Sequence, residues 1–217
     1  MASDTLMTRS QPRLWQRLFG ARKPPPVVVV SGLPRSGTSM MMQMLAAGGI
    51  EVITDHLRQA DTDNPRGYFE FEPVKTLAET DDAPWLEAAH GKAIKIISSL
   101  LQHLPAESTY KILFMERNLQ EVLVSQKRML EHLDKPVDAA DDAGMSAQFT
   151  RHLGQVKAWL REQSHMDVLC IRHADALTDP RAVAERIQRF LGRPLQVEAM
   201  VAAVQPQLYR HRRQLGS

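Results

Sequence analysis

The sequence holds a single cysteine, Cys170, and a formal net charge of only +2 over 217 residues. One thiol excludes a disulfide framework and suits a reducing, cytoplasmic setting. A charge so near balance gives no electrostatic case for nucleic acid, and the chain has neither an aromatic-interleaved basic run nor a Cys/His finger spacing. Long hydrophobic runs are missing as well, since nothing approaches the roughly 18–20 apolar residues of a membrane-spanning helix. Near the N-terminus Leu14, Trp15, Leu18 and Phe19 are interrupted by Arg13, Gln16 and Arg17, which breaks a signal-peptide core. Residues 1–26 read as a leader or short amphipathic helix that lies on the domain, a partner or a membrane surface, and Lys23-Pro24-Pro25-Pro26 makes a stiff entry into the next segment. No His/Asp/Glu set has metal-ligand spacing, so no metal is expected.

What is present is an alternation of two periodicities across residues 27–217, one domain in length. The apolar, β-branched runs Val27–Val30, Ala93–Ile97, Ile112–Met115 and Val168–Ile171 predict buried strands, with Cys170 inside the last. Between them fall helices that start at Met40–Leu45, lie near Pro73–Glu79, run from an Asn118 cap to about His132, span Ser146–Gln163, and cover Arg181–Leu191 up to Gly192. Thr54 to Gly67 is polar and long enough to be a functional loop, Tyr68–Phe71 is a brief strand or turn, and Pro136 to Gly144 is a linker. Strands alternating with helices predict a P-loop-like three-layer α/β domain with a mostly parallel central sheet, whose ligands sit at the strand carboxyl ends.

The stretch VVVVSGLPRSGTSMMM carries the chemistry. Set against GxxxxGK[ST], the residues Gly32 to Ser39 match except that Thr38 stands where the lysine belongs. That lysine serves the β- and γ-phosphates of a triphosphate, and the nearest cation here is Arg35 instead. The arrangement PRSGTS after a strand resembles the 5′-phosphosulfate loop of the sulfotransferases, which use 3′-phosphoadenosine 5′-phosphosulfate (PAPS) as donor. The resemblance implies that Arg35, Ser36, Gly37, Thr38 and Ser39 form the 5′ site, with Arg35 neutralising the bridging oxygen as its bond to sulfur breaks. In KILFMERNLQEVLVSQ, Arg117 follows a strand and Ser125 comes eight residues later, as in the family pattern R-D/N-x-x-x-x-x-x-S that holds the donor's 3′-phosphate. VLCIRHADALTDPRAVAERIQRFLGRPL is similar to the family's late RYEDL, DP and FLG elements. There His173 and Ala174 replace Tyr and Glu, and Asp175 and Asp179 read as turn caps.

A base must still take the acceptor's proton. In the cytosolic branch a K-T-H segment supplies a lysine and a histidine; Lys95 matches the lysine and reads either as a catalytic group approaching the sulfuryl or as a strand-edge salt-bridge partner, while Ile97 falls at the histidine. Other branches use a carboxylate, which here implies Asp55 or Glu70 as catalytic base, Asp55 being preferred. Glu70 closes Asp63-Asn64-Pro65-Arg66-Gly67-Tyr68-Phe69-Glu70, a segment like the DNPxGYxE motif of many bacterial members. His56 and His90 read as surface residues. Met40 stands where cytosolic members carry a tryptophan near adenine, and Met40, Met41, Met42 and Met44 read together as helix core. The basic run Tyr209 to Arg213 either frays in solvent or brings Arg210 over the 3′-phosphate. The resemblance implies an acceptor that bears a hydroxyl or amine, on a small molecule, glycan or peptide, and the sequence does not name it. The acidic residues Asp61, Asp63, Glu70, Glu72, Glu79, Asp81 and Asp82 are a solvated face or a seat for a cationic acceptor. Two alternatives stand beside the sulfotransferase: a nucleoside-triphosphate hydrolase or kinase using Glu116 or Asp175 for magnesium, and a non-catalytic nucleotide-binding module.

Overall fold

Val27–Val30 are all buried because β1 (Val27–Gly32) lies inside a sheet covered on both faces. The computed structural model describes residues 23–55, 57, 67–80, 83–132 and 142–204. The expected leader up to residue 22, most of the 54–67 loop with His56, and the basic C-terminal run with Arg210 lie outside the described residues. Among those described, β1 is flanked by β2 (Ala93–Lys95) and β3 (Tyr110–Glu116), and β4 (Met166–Arg172) forms the far edge. The order is β2-β1-β3-β4, and every pairing is parallel.

Alternation along β1 divides the core. Val28 and Val30 face α1 (Thr38–Ala47), α5 (His173–Thr178), α6 (Pro180–Leu191) and α7 (Val197–Ala203), where they meet Met41, Ile187 and Met200. Val27 and Val29 face the opposite layer, built by the 3₁₀ turns Glu72–Ala78 and Ser98–His103, α2 (Trp85–Ala89) and α4 (Asp142–Arg161). The remaining helix, α3 (Leu119–His132), buries Val122 and Leu123. Met41, Met42 and Met44 are fully buried, so that cluster is helix core, with Met40 packed at its margin. No helix among the described residues is long and apolar enough to cross a membrane.

Local chemistry sets the helix ends. Asn118 Oδ1 accepts the N–H groups of Gln120 and Glu121 at the start of α3, Asp179 Oδ1 accepts that of Ala182 at the start of α6, and Gly192 ends α6 in left-handed backbone at φ 67°. Several expectations need correcting. Cys170 is on β4 but exposed, because β4 is an edge strand paired only with β3 among the described residues. Asp175 does not cap a turn with its carboxylate, which accepts from Arg172 Nε at 2.9 Å. Of the two readings of Tyr68–Phe71 the turn is the one seen, since the segment joins no strand among the described residues and Phe69 has left-handed backbone at φ 52°; α4 begins at Asp142, inside the expected linker.

Candidate active site

Gly32 ends β1 at φ 144°, and a Cβ there would lie 2.6 Å from both the Met115 carbonyl oxygen and Ser36 Oγ. The chain must therefore turn on a residue without a side chain, pressed against the end of β3. Arg35 follows in left-handed backbone at φ 69°, and Gly37, at φ 99°, is the N-cap of α1 with no side-chain cap. The first-turn N–H groups of α1 thus face the loop, and no acidic side chain stands in that turn. Such an end attracts anions.

The predicted residues of the two anion sites meet. Arg35 Nε donates to Ser125 Oγ at 2.9 Å, and an Arg117 guanidinium nitrogen donates to the Arg35 carbonyl at 3.0 Å. Arg117 Nε also donates to Glu121 Oε2 at 3.1 Å. Ser36 Oγ is buried and has no hydrogen-bond partner among the described residues. It lines a cavity of about 190 Å³ together with Leu33, Met115, Glu116, Arg117, Val122, Leu153 and Lys157. An orphaned hydroxyl, two cations and a glycine cradle fit a phosphorylated ligand. Glu121 and Lys157 were not anticipated from sequence. Arg117 precedes the Asn118 cap and so lies outside α3, where the four-residue helical rule does not apply; its pairing with Glu121, like the place of Lys157, carried no local signal.

On the other side of the loop, Ser39 Oγ donates to the Tyr68 carbonyl at 3.4 Å. Lys95 Nζ at the end of β2 donates to the same carbonyl and lies 3.7 Å from Glu70 Oε1. Asp55 is placed differently. Its Oδ1 accepts the Leu57 N–H at 3.0 Å and its Oδ2 the Glu72 N–H at 2.6 Å. These main-chain bonds hold its pKa below the usual carboxylate range, that from Glu72 contributing most. Ile97, at the position of the family's histidine, is 41% exposed. No cluster of three or more His, Cys, Asp or Glu residues suited to a metal ion occurs among the described residues.

His173 backs the loop. A Cβ on Gly37 would meet its Cδ2 at 2.4 Å. Burial, and then the Arg117 guanidinium, pushes the imidazole pKa down to about 4, against an opposing pull from Glu121. An unfolded histidine titrates near 6.5, so between that value and about 4 the unfolded chain binds the extra proton. Stability therefore rises with pH across this window. The contribution of His173, roughly 3 kcal/mol, is complete above pH 6.5 and lost by about pH 4. Thermal melts from pH 7 to 4 are expected to show this acid loss, and His173→Gln is expected to flatten it.

A central parallel strand, a glycine turn and a helix N-terminus opposite an arginine at the end of the neighbouring strand define a P-loop-like α/β domain. The family model for the sulfotransferase domain matches residues 25–214, and the chain belongs to that family. It is 28% identical over 197 residues to sulfotransferase 2B1 of Homo sapiens, a match covering 79% of this chain and 47% of that protein. The Mus musculus counterpart is 27% identical over 197 residues, with 79% and 51% covered. The chain thus spans about half the length of these curated relatives. Two solved structures share the fold. The sulfotransferase domain from the curacin biosynthetic pathway has a TM-score of 0.51 at 16% identity, covering 85% of this chain and 79% of that one. Sulfotransferase STF1 from Mycobacterium tuberculosis H37Rv also gives 0.51 at 16% identity, covering 88% and 73%.

Proposed function

We propose that the protein transfers a sulfuryl group from PAPS to a hydroxyl or amine on a small-molecule, glycan or peptide acceptor. The observation that carries this reading is the interlock of Arg35 with Ser125 and of Arg117 with the Arg35 carbonyl. A strand-end arginine and a helix serine, distant in sequence from the glycine loop, meet it at one place. One bisphosphorylated nucleotide spans such a pair of anion seats. In this reading the loop amides, Ser36, Thr38 and Ser39 hold the 5′ end, and Arg117 with Ser125 holds the 3′-phosphate. Arg35 stabilises charge on the departing 5′-phosphate as the sulfur–oxygen bond breaks. Glu70 takes the acceptor's proton as the new oxygen–sulfur or nitrogen–sulfur bond forms, with Lys95 3.7 Å from its carboxylate. Glu70 is favoured over Asp55 because Asp55 has a depressed pKa, hence weaker basicity, and each of its oxygens already accepts a main-chain N–H.

The hydrolase alternative is poorly supported. Glu116 lies 2.6 Å from Lys157 Nζ, and Asp175 lies 2.9 Å from Arg172 Nε, so both magnesium candidates are already paired with cations. A reducing cytoplasm is the proposed setting, on the grounds of the single thiol. Calorimetry with adenosine 3′,5′-bisphosphate, AMP, and ATP plus magnesium tests the reading. The bisphosphate is expected to bind at least 10-fold more tightly than either, because charge-assisted hydrogen bonds are worth about 1.5–3 kcal/mol. Preference for ATP with magnesium would favour the hydrolase, and no binding would favour a non-catalytic role.

A further inference from the structure

The turn that carries Glu70 is held in an uncommon backbone state. Phe69, a bulky residue, has φ 52°, in the left-handed region that favours glycine, and Gly67, two residues earlier, has φ 86°. Such a residue costs on the order of 1–3 kcal/mol and persists only where its surroundings over-determine it. The surroundings here are bonds on both sides of Phe69. Before it, the Tyr68 carbonyl accepts from Ser39 Oγ and Lys95 Nζ. After it, the Glu70 carbonyl accepts from Thr54 Oγ1 at 3.0 Å and from the Asp55 N–H at 3.2 Å, and the Glu72 N–H donates to Asp55 Oδ2 at 2.6 Å.

Asp55 is the residue that fastens this turn twice, once through its own N–H and once through its carboxylate. It is itself anchored to the sheet, because Ile53 N–H donates to the Ala93 carbonyl at 2.8 Å and Val52 bridges Ala93 at the foot of β2. The chain from β2 through Asp55 to Glu70 is therefore a continuous run of hydrogen bonds. It begins on the strand whose other end supplies Lys95.

We propose that Asp55 is a positioning residue, whose carboxylate and main chain lock the Phe69 turn so that Glu70 faces Lys95 and the glycine loop. The inference rests on Glu70 as the base. Asp55 does not touch the acceptor in this scheme; it fixes where the accepting carboxylate stands. Two geometric features favour that role over direct proton transfer: each carboxylate oxygen is engaged by the main-chain N–H of a flanking segment, and the bonds close on the residues bordering Glu70. Among the described residues the charged groups near Glu70 include Lys95, Asp55, and Lys75, which also pairs with Glu72 at 2.5 Å.

The test uses the full chain with radiolabelled PAPS. It follows sulfate release, with water as acceptor, and transfer to a panel of phenols and amines. Glu70→Gln is expected to lower turnover about 100- to 10,000-fold, the usual range for a general base, with bisphosphate affinity unchanged. Asp55→Asn retains one acceptor oxygen but sets an amide N–H₂ against a donor; it is expected to lower kcat about 10-fold while the acid limb of the pH profile survives. Asp55→Ala removes both acceptor oxygens and is expected to lower kcat further than Asp55→Asn does, again with the acid limb retained. The double variant Asp55→Asn with Glu70→Gln is expected within about 3-fold of Glu70→Gln alone, since contributions made through one group do not multiply. The inference is overturned if Asp55→Asn erases the acid limb and matches Glu70→Gln, for Asp55 is then the base, or if the two losses multiply. A Glu70→Gln enzyme with wild-type turnover removes the Glu70 assignment itself, and a wild-type chain that binds no bisphosphate removes the sulfotransferase reading. Each failure is distinct from a failed mutant cycle.

Discussion

Exchanging Arg117 for alanine is expected to weaken adenosine 3′,5′-bisphosphate binding roughly 10- to 100-fold and AMP binding only a few-fold. The asymmetry follows from the 3′-phosphate. A hydrogen bond to a charged group is worth about 1.5–3 kcal/mol, and the guanidinium fork suits phosphate better than an ammonium does. AMP affinity also falls slightly because Arg117 donates to the Arg35 carbonyl at 3.0 Å, which helps hold the loop. Glu121, at 3.1 Å from Arg117 Nε, keeps the fork oriented. Arg117→Lys keeps the charge and loses the fork, so its bisphosphate affinity should fall between wild type and alanine. Calorimetry of the three proteins with both nucleotides forms a cycle between the side chain and the 3′-phosphate. Equal losses for AMP and the bisphosphate would mean that Arg117 supports the loop and does not contact the 3′-phosphate.

Much of the fold was legible because its signals are local. Four consecutive valines predict a strand buried on both faces, and Asn118, Asp179 and Gly192 stand at helix ends for reasons of main-chain hydrogen bonding and glycine geometry. Position in the sheet is not local. Whether a strand is central or at an edge depends on what pairs with it, and Cys170 therefore looked buried in sequence and is exposed in β4. The glycine loop was readable from its spacing, whereas its contacts were not: Arg35 meets Ser125, a residue 90 positions away. The two carboxylates show the same division. Both Asp55 and Glu70 stood out by position, but only the hydrogen bonds from Leu57 and Glu72 reveal that the Asp55 oxygens serve the main chain. A turn was one of the two readings of Tyr68–Phe71, but nothing in the sequence marks Phe69, a bulky residue, for left-handed backbone.

Placing alanine at Gly37 is expected to remove measurable bisphosphate binding and to lower the melting temperature by several degrees. Two costs add. At φ 99° an L-residue is strained by about 1–2 kcal/mol, and its Cβ would stand 2.4 Å from His173 Cδ2, inside van der Waals contact. The His173 ring is only 6% exposed and so has little free space into which to retreat. The loop must shift instead, carrying the first-turn N–H groups of α1 away from the proposed 5′-phosphate seat. The two costs are separable. Adding His173→Ala to Gly37→Ala deletes the collision and leaves the backbone strain, so the double variant should recover part of the melting temperature and part of the affinity. Gly32→Ala is the contrasting case, because its Cβ would lie 2.6 Å from the main-chain oxygen of Met115, which no side-chain substitution can clear. Melts and calorimetry on the three variants decide the matter. If His173→Ala rescues nothing in Gly37→Ala, backbone conformation alone makes glycine necessary there, and His173 is a bystander to the loop.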